Sequence, residues 1–280
     1  MSRPTFVCVP GFCHTSDIFE PLKTLLEHYG YPVLPVQLPS VLVNGSHASN
    51  DPAQDTVAIR SLVSHLVEAG QDVIVILHSY AGVPGGDALQ GLGKDERVQS
   101  GRRGGVLRII FVMAWIVQEG FKMCEEGDYS SFPPYMHCNT TSRKKAGTMS
   151  IPSASAIQYF YNDLPHDHAE YYAHTMRPQA TSALYHRTTA AAWRTIPTTY
   201  ILCPLDNVLT DAYARLMLTA AQESGSNIDS IEVCEGAASC CWLGSSADWF
   251  RWGLTAGRRG VGMSASGVKN GTGIGTSQCI

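Results

Sequence analysis

The stretch that decides the fold covers residues 73–82 and reads VIVILHSYAG. Its first five residues are all β-branched or leucine, which is typical of a strand buried on both faces of a sheet. The polar pair His78-Ser79 ends this run, and small residues follow before the chain becomes helical. The stretch therefore predicts a buried strand, a tight turn and a helix.

Ser79 is the candidate nucleophile of this turn. A serine there stands on a strained corner with its hydroxyl exposed, and the N–H of Tyr80 points into the same space, where it can hold an oxyanion. The usual pattern is Gly-x-Ser-x-Gly, whereas this chain carries Leu77 and Ala81 at the glycine positions and Gly82 one place later. On the motif alone, Ser79 is equally compatible with a helix N-cap.

Composition restricts the class of protein. The 280 residues are 44% hydrophobic, which suits one α/β domain with an insertion. A net charge of −4 gives no basic footprint for nucleic acid, and no apolar run approaches the ~20 residues that span a bilayer. Nine scattered cysteines without a Cys-x-x-Cys pair, and a start without a charged leader, favour a reduced intracellular protein without a zinc ribbon.

Strand-like and helix-like segments alternate in the first part of the chain. Strand patterns cover residues 5–10, 32–38, 73–77 and 107–114, and helical patterns cover residues 17–29, 51–69 and 83–92. This rhythm predicts an α/β fold with a mostly parallel central sheet and right-handed crossovers, in which the strand before Ser79 is central.

The loop that follows the first strand is the candidate second half of an oxyanion hole. Gly11 gives this backbone the freedom to turn, and the N–H of Phe12 would be the second oxyanion donor beside that of Tyr80. An ordinary turn between a strand and a helix is the alternative.

Residues 115–194 have a different pattern. Strand-like runs stop, aromatic residues accumulate, and five of the ten histidines lie here: His137, His166, His168, His174 and His186. We interpret this segment as a mostly helical lid insertion over the carboxyl edge of the sheet. No carboxylate or cysteine stands at a convincing ligand spacing beside these histidines, so we expect no metal site.

Asp206 is the candidate catalytic acid. It follows a strand pattern at residues 198–203 and comes more than a hundred residues after Ser79, in the order nucleophile, acid, histidine. Its carboxylate would accept a hydrogen bond from the histidine and hold its tautomer. An Asx-turn at the strand end is the structural alternative.

Several segments together resemble one family. They read VPG at 9–11, QLPS at 37–40, LHSYAG at 77–82, YFYNDLP at 159–165 and IPTTY at 196–200, continuing to Asp206-Asn207. They resemble the α/β-hydrolase superfamily, in particular small fungal hydrolases of secondary-metabolite gene clusters, and are similar to hydrolases of the Alternaria host-selective toxin clusters. The resemblance covers roughly residues 4 to 250. It implies cleavage of an ester, thioester or lactone of a small hydrophobic metabolite, no cofactor and a helical lid.

The same resemblance implies a histidine after the last strand, in a pattern like Gly-His-Ser-Pro-Phe-Leu. This chain has ASCCWL at residues 238–243, and alignment on Trp242-Leu243 puts Ser239 at the histidine position. No histidine follows His186. Loss of the histidine from a Ser-His-Asp triad costs on the order of a millionfold in kcat, so the missing base decides what the chain can do.

Three explanations for the missing base stay open. His137, His168 or His186 could act as a substitute base from the lid. The pocket could instead serve binding or a non-hydrolytic step such as isomerisation or cyclisation. The third explanation is that the copy is degenerate.

The end of the chain is unlike a folded domain. Residues 257–280 include seven glycines and lack apolar periodicity, so we expect a domain at 1–256 and a disordered tail. A frameshift or a read-through intron is our hypothesis for this tail. The final tripeptide is a poor match to a peroxisomal signal, which favours the cytosol with the peroxisome as second choice. The oligomeric state stays open.

Overall fold

The computed structural model describes residues 3–43, 45–47, 49–139 and 147–238. Its nine strands are β1 (Thr5–Val9), β2 (Val33–Pro35), β3 (Asp72–His78), β4 (Gly105–Val112), β5 (His137–Asn139), β6 (Thr148–Ser150), β7 (Gln179–Ala180), β8 (Thr198–Leu202) and β9 (Ile228–Val233). Its seven α-helices are α1 (Glu20–His28), α2 (Gln54–Glu68), α3 (Gly82–Ala88), α4 (Lys94–Gln99), α5 (Ser153–Tyr159), α6 (His166–Thr175) and α7 (Asp211–Glu223).

Six strands form the main sheet in the order β2-β1-β3-β4-β8-β9, and every neighbouring pair is parallel. The predicted α/β fold with a parallel sheet is confirmed. β3 lies inside the sheet, where Val75 pairs with Val7 of β1 and with Ile109 of β4. Residues 73–78 are all buried, because helices cover both faces of such a sheet. The carboxyl end of β3, where Ser79 follows, therefore lies at the middle of the sheet edge.

Two parts of the sheet region differ from the sequence prediction. β2 is only three residues long, and Pro32 has no N–H group that would extend its ladder with β1 before Val33. A short helix that the sequence patterns did not predict, α4, follows α3 and is stabilised by the buried side chain of Arg97. The Arg97 guanidinium donates to the carbonyls of Val67 and Gly104.

The insertion between β4 and β8 contains a sheet as well as helices. We expected a mostly helical insertion; its α-helices in the described residues are α5 and α6, of seven and ten residues, and β5, β6 and β7 also form a three-stranded antiparallel sheet. These strands are two or three residues long, which is too short to give a detectable alternation in sequence. The Ala180 N–H donates to the Ser40 carbonyl at 2.8 Å, so β7 is fixed to the loop after β2. A lid function for this insertion stays a prediction.

Helices in the described residues are too short and too polar to cross a bilayer, the longest being α2 with 15 residues.

Candidate active site

Ser79 stands at a strained corner of the backbone. Its φ angle is +50°, in a region that residues other than glycine seldom adopt. The predicted strained turn is therefore present. The carbonyl of Ser79 accepts the Trp115 N–H at 3.1 Å, which ties the corner to the segment after β4. α3 begins at Gly82 with Ala81 as its N-cap, so the N-cap interpretation of Ser79 is wrong.

The missing glycines of the serine motif are replaced by glycines further along the chain. A Cβ atom on Gly82 would collide with the backbone of Trp115, and one on Gly85 would collide with the side chain of Leu77. Leu77 is tolerated at the first glycine position because Gly85 leaves room for it across the strand–helix contact. Close packing around the serine is thus preserved with a shifted pattern.

The loop after β1 passes directly against this corner. A Cβ atom on Gly11 would lie 2.8 Å from Nδ1 of His78 and 3.1 Å from Cβ of Ser79. We expected Gly11 to supply conformational freedom, but the positive φ of this loop, +62°, belongs to Cys13. Glycine is required at position 11 because a side chain there would not fit beside His78 and Ser79. The rings of Phe12 and Tyr80 meet edge to face at 5.7 Å between centroids. The structure thus brings the two predicted oxyanion residues together beside Ser79.

Asp206 lies in the loop after β8. Its Oδ1 accepts the N–H groups of Val208 and Leu209, each at 2.8 Å, and its Oδ2 accepts that of Ala238 at 3.4 Å. Burial raises the pKa of Asp206 to about 6, although these three hydrogen bonds act in the opposite direction. The hydrogen bond from the Val208 N–H closes an Asx-turn, so the structural alternative for Asp206 is present as well.

Ser79 and Asp206 line the same cavity. Its other polar lining residues are His14, His78 and Tyr161, and its apolar lining residues are Met113, Phe160, Val208, Leu209 and Ala238. The empty volume is about 360 Å³ including the opening to solvent, of which only about 20 Å³ is wide enough for the centre of a water molecule. That smaller volume is about the room one water molecule needs.

Three features occur together at the carboxyl edge of the parallel sheet: the strained Ser79, the loop after β1 and the buried carboxylate of Asp206. This combination agrees with one family. The sequence profile of the alpha/beta hydrolase family matches residues 6–251. The chain belongs to this family.

Two fungal proteins and one solved plant structure are similar to this chain. "Alpha/beta hydrolase nvfD" of Aspergillus novofumigatus is 25% identical over 241 residues, which cover 86% of this chain and 92% of that protein. "Probable hydrolase R7" of a Phoma species is 27% identical over 219 residues, or 75% of this chain and 80% of that protein. The solved structure of the methylesterase MES16 from Arabidopsis superposes with a TM-score of 0.68 at 20% identity, covering 90% of this chain and 98% of that one. This last likeness concerns the fold.

His14 lies in the cavity wall of this hydrolase-family chain, although it was not among the predicted site residues. Its Nδ1 lies 2.7 Å from the Phe12 carbonyl oxygen, which can only accept, so Nδ1 carries the proton. Burial lowers the pKa of His14 to about 4, and Nε2 is therefore unprotonated at neutral pH. Nε2 accepts the hydroxyl of Tyr161 at 2.8 Å. Because both ring nitrogens are engaged, His14 is fixed in one tautomer and one orientation.

The three predicted substitute bases do not line the cavity. His137 and His168 are exposed. His186 is buried elsewhere, with Nε2 at 2.7 Å from Oδ2 of Asp87 and 3.2 Å from the Thr56 hydroxyl. Ser239 lies outside the described residues, which end at Ala238 in this region. Ala238, its neighbour in sequence, contacts both the cavity and Asp206.

Proposed function

We propose that this chain is a serine hydrolase of the esterase, thioesterase or lactonase type, acting on a small hydrophobic metabolite in fungal secondary-metabolite or toxin biosynthesis. The observation that carries the proposal is the strained Ser79, which shares one cavity with Asp206 and lies against the Gly11 loop. The fungal hydrolases similar to this chain support the same class of reaction.

In the proposed reaction, Oγ of Ser79 attacks the acyl carbonyl and forms a tetrahedral intermediate. The N–H groups of Phe12 and Tyr80 hold the oxyanion, and collapse of the intermediate expels the alcohol or thiol. Water then hydrolyses the acyl-serine and restores Ser79. A base takes the Ser79 proton and gives it to the departing alcohol or thiol, then takes a proton from the attacking water and returns it to Oγ of Ser79. The described residues do not identify this base, and Asp206 would orient it, as its place in the same cavity suggests.

An apolar substrate is supported by the side chains around the serine. Met113, Phe160, Val208 and Leu209 belong to the wall of the cavity, and binding sites for small hydrophobic molecules are lined by such apolar side chains. The space beside Ser79 has room for about one water molecule, so a substrate must displace part of this wall. Phe160 follows α5 of the insertion. The proposal therefore includes a movement of this segment as a lid that opens the cavity.

A non-hydrolytic or inactive pocket protein is the second candidate. It is favoured by Ser239 at the predicted histidine position and by the arrangement of His14, whose Nε2 is already bound by Tyr161. Binding of a ligand would need the same cavity but no base.

The deciding experiment measures hydrolysis of short-chain p-nitrophenyl esters by the parent protein, Ser79→Ala and Ser239→His. We expect activity in the parent that is absent from Ser79→Ala, and a higher kcat in Ser239→His because Asp206 lies beside Ala238. A fluorophosphonate probe should label the parent and leave Ser79→Ala unlabelled. Activity in Ser239→His alone would establish the inactive pocket protein, and activity that survives in Ser79→Ala would refute the serine mechanism.

A further inference from the structure

A network of buried polar side chains connects Tyr80 to the loop that contains Phe12. Asp55 of α2, Ser40 of the loop after β2, Gln179 of β7 and Tyr80 are all at most 2% exposed. They come from four separate parts of the chain, and hydrogen bonds join them into one network. Buried polar groups carry a desolvation cost unless they are hydrogen-bonded, and a fully bonded network makes the surrounding structure rigid.

Every hydrogen bond of this network donates toward Asp55. The Cys13 N–H donates to Oε1 of Gln179 at 2.6 Å, which leaves Nε2 of Gln179 to donate to the Ser40 hydroxyl at 2.8 Å. The Ser40 hydroxyl in turn donates to Oδ2 of Asp55 at 2.5 Å. Because a backbone N–H can only donate, the orientation of the Gln179 amide is determined.

The second branch starts from the other oxyanion residue. The Tyr80 hydroxyl donates to the same Oδ2 of Asp55 at 2.8 Å, while the Ser40 N–H donates to Oδ1 at 3.0 Å. Asp55 therefore receives one branch from Tyr80 and one branch from the loop that contains Phe12. The side chain of Tyr80 and the residue that follows Phe12, Cys13, are thus linked to a single buried carboxyl group.

The loop branch holds a strained residue. Cys13, with its φ of +62°, directly follows Phe12. Besides the Cys13 N–H bond to Gln179, the Cys13 carbonyl accepts the Arg177 N–H at 2.9 Å. A left-handed conformation costs a residue with a side chain on the order of 1–2 kcal/mol, so it needs such bonds on both sides to persist. These bonds come from the insertion at and before β7.

We propose that Asp55, Ser40 and Gln179 are positioning residues that set the distance between the Phe12 and Tyr80 N–H groups. This inference rests on the proposed hydrolase function, because an oxyanion hole has a role only if Ser79 attacks a carbonyl. The network acts through the backbone of Phe12 and Tyr80 and does not touch the substrate itself.

Ser40→Ala is the sharpest test, because it cuts the link between Gln179 and Asp55 and leaves both oxyanion residues unchanged. We expect kcat for a p-nitrophenyl ester to fall about tenfold or more with KM within about twofold, a fraction of the 10²–10³ that loss of a whole oxyanion donor costs. Ser182→Ala is the matched control, since Ser182 is an equally buried serine of the insertion that bonds to the Ser49 carbonyl outside the network. Its kcat should stay within about threefold of the parent.

Tyr80→Phe provides a second variant that removes only the hydroxyl at the other branch. Its matched control is Tyr200→Phe, in which a fully buried tyrosine loses its 2.8 Å hydrogen bond to the Ala114 carbonyl. A kcat within threefold of the parent in both folded Ser40→Ala and folded Tyr80→Phe would overturn the positioning role.

Hydrogen exchange separates this inference from the proposed function. If the parent does not hydrolyse esters, the hydrolase function fails and the network is judged by exchange of the Cys13 amide, measured by NMR. Tyr80→Phe should then accelerate that exchange at least tenfold and Tyr200→Phe should not. Equal exchange in the parent and Tyr80→Phe would show that the two branches are not coupled.

Discussion

Nε2 of His186 lies 2.7 Å from Oδ2 of Asp87, and this buried pair joins the insertion to α3, the helix that follows Ser79. Oδ1 of Asp87 also accepts the N–H and hydroxyl of Thr189, both at 2.9 Å, and the Ala190 N–H at 2.7 Å. One carboxylate therefore satisfies four donors of the insertion and fixes its second half against the core.

Asp87→Ala should lower the free energy of unfolding by about 3–5 kcal/mol, because it leaves buried donors without an acceptor. Urea denaturation followed by circular dichroism measures the change. The control is Glu27→Ala, which removes a surface ion pair with Lys23 and should cost less than about 1 kcal/mol. Equal losses in the two variants would show that the Asp87 cluster contributes no special stability.

Gly85→Ala tests the contact that allows Leu77 at the serine motif. The new methyl group would overlap the Leu77 side chain, and we expect a loss of about 1–3 kcal/mol in thermal or urea unfolding. Gly86→Ala is the control on the same helix, since its Cβ would meet Cδ1 of Trp193 at an ordinary 3.7 Å. It should be neutral or stabilising, as alanine favours a helix.

The coupling between Leu77 and Gly85 is measured by a double-mutant cycle. The Leu77→Ala change removes the obstructing side chain, so Gly85→Ala should cost much less in that background. An unchanged cost would mean that the strain of Gly85→Ala arises elsewhere.

The pH dependence of activity should follow Asp206. Burial raises its pKa to about 6, so the carboxyl group is ionised above that pH and neutral below it. Only the ionised form can stabilise a protonated base, and kcat/KM should fall about tenfold per unit as the pH decreases below 6. Asp206→Asn should lower the activity and remove this inflection. A parent profile that is flat between pH 5 and 7 would exclude Asp206 as the acid partner.

His14 should contribute to acid sensitivity of the fold. Its pKa is about 4 in the folded protein and near 6.5 in an unfolded chain, so between these values the unfolded state binds the extra proton. Stability due to this group is therefore complete above pH 6.5 and decreases as the pH falls toward 4, by about 3 kcal/mol in total.

The measurement compares unfolding free energies of the parent and His14→Gln at pH 7.5 and pH 4.5. Asp206 titrates in both proteins, and the charge of His14 also lowers the pKa of His78, so the difference between the two pH slopes reports His14 together with its coupling to His78. Parallel slopes would contradict the assigned burial and tautomer of His14.

Local patterns made the sheet and the serine corner predictable. The apolar run before Ser79, its abrupt polar end and the alternation with helices follow from rules that act over a few residues. Glycine positions were less predictable, because Gly85 is required by a side chain eight residues earlier in the chain.

Long-range contacts set the limit of sequence-based prediction. Gln179 meets Cys13 from 166 residues away, and Tyr161 meets His14 from 147 residues away. Neither pair has a spacing rule, because the contact depends on how the insertion folds back over the sheet. His14 could have been suspected from its place four residues after Pro10, in the loop assigned to the oxyanion. Asp55 gave no such signal, since its side chain reads as an ordinary polar residue of an amphipathic helix.

The three backbone N–H groups around Asp206 bear on how this lineage could change. In a triad the histidine partly compensates the acid, and a chain that loses it is left with an isolated buried charge. Here Val208, Leu209 and Ala238 already supply hydrogen bonds to that carboxyl group. Substitution of the histidine would therefore change the stability of the fold very little. Only selection for the reaction of the substrate would then decide which residue persists at that position.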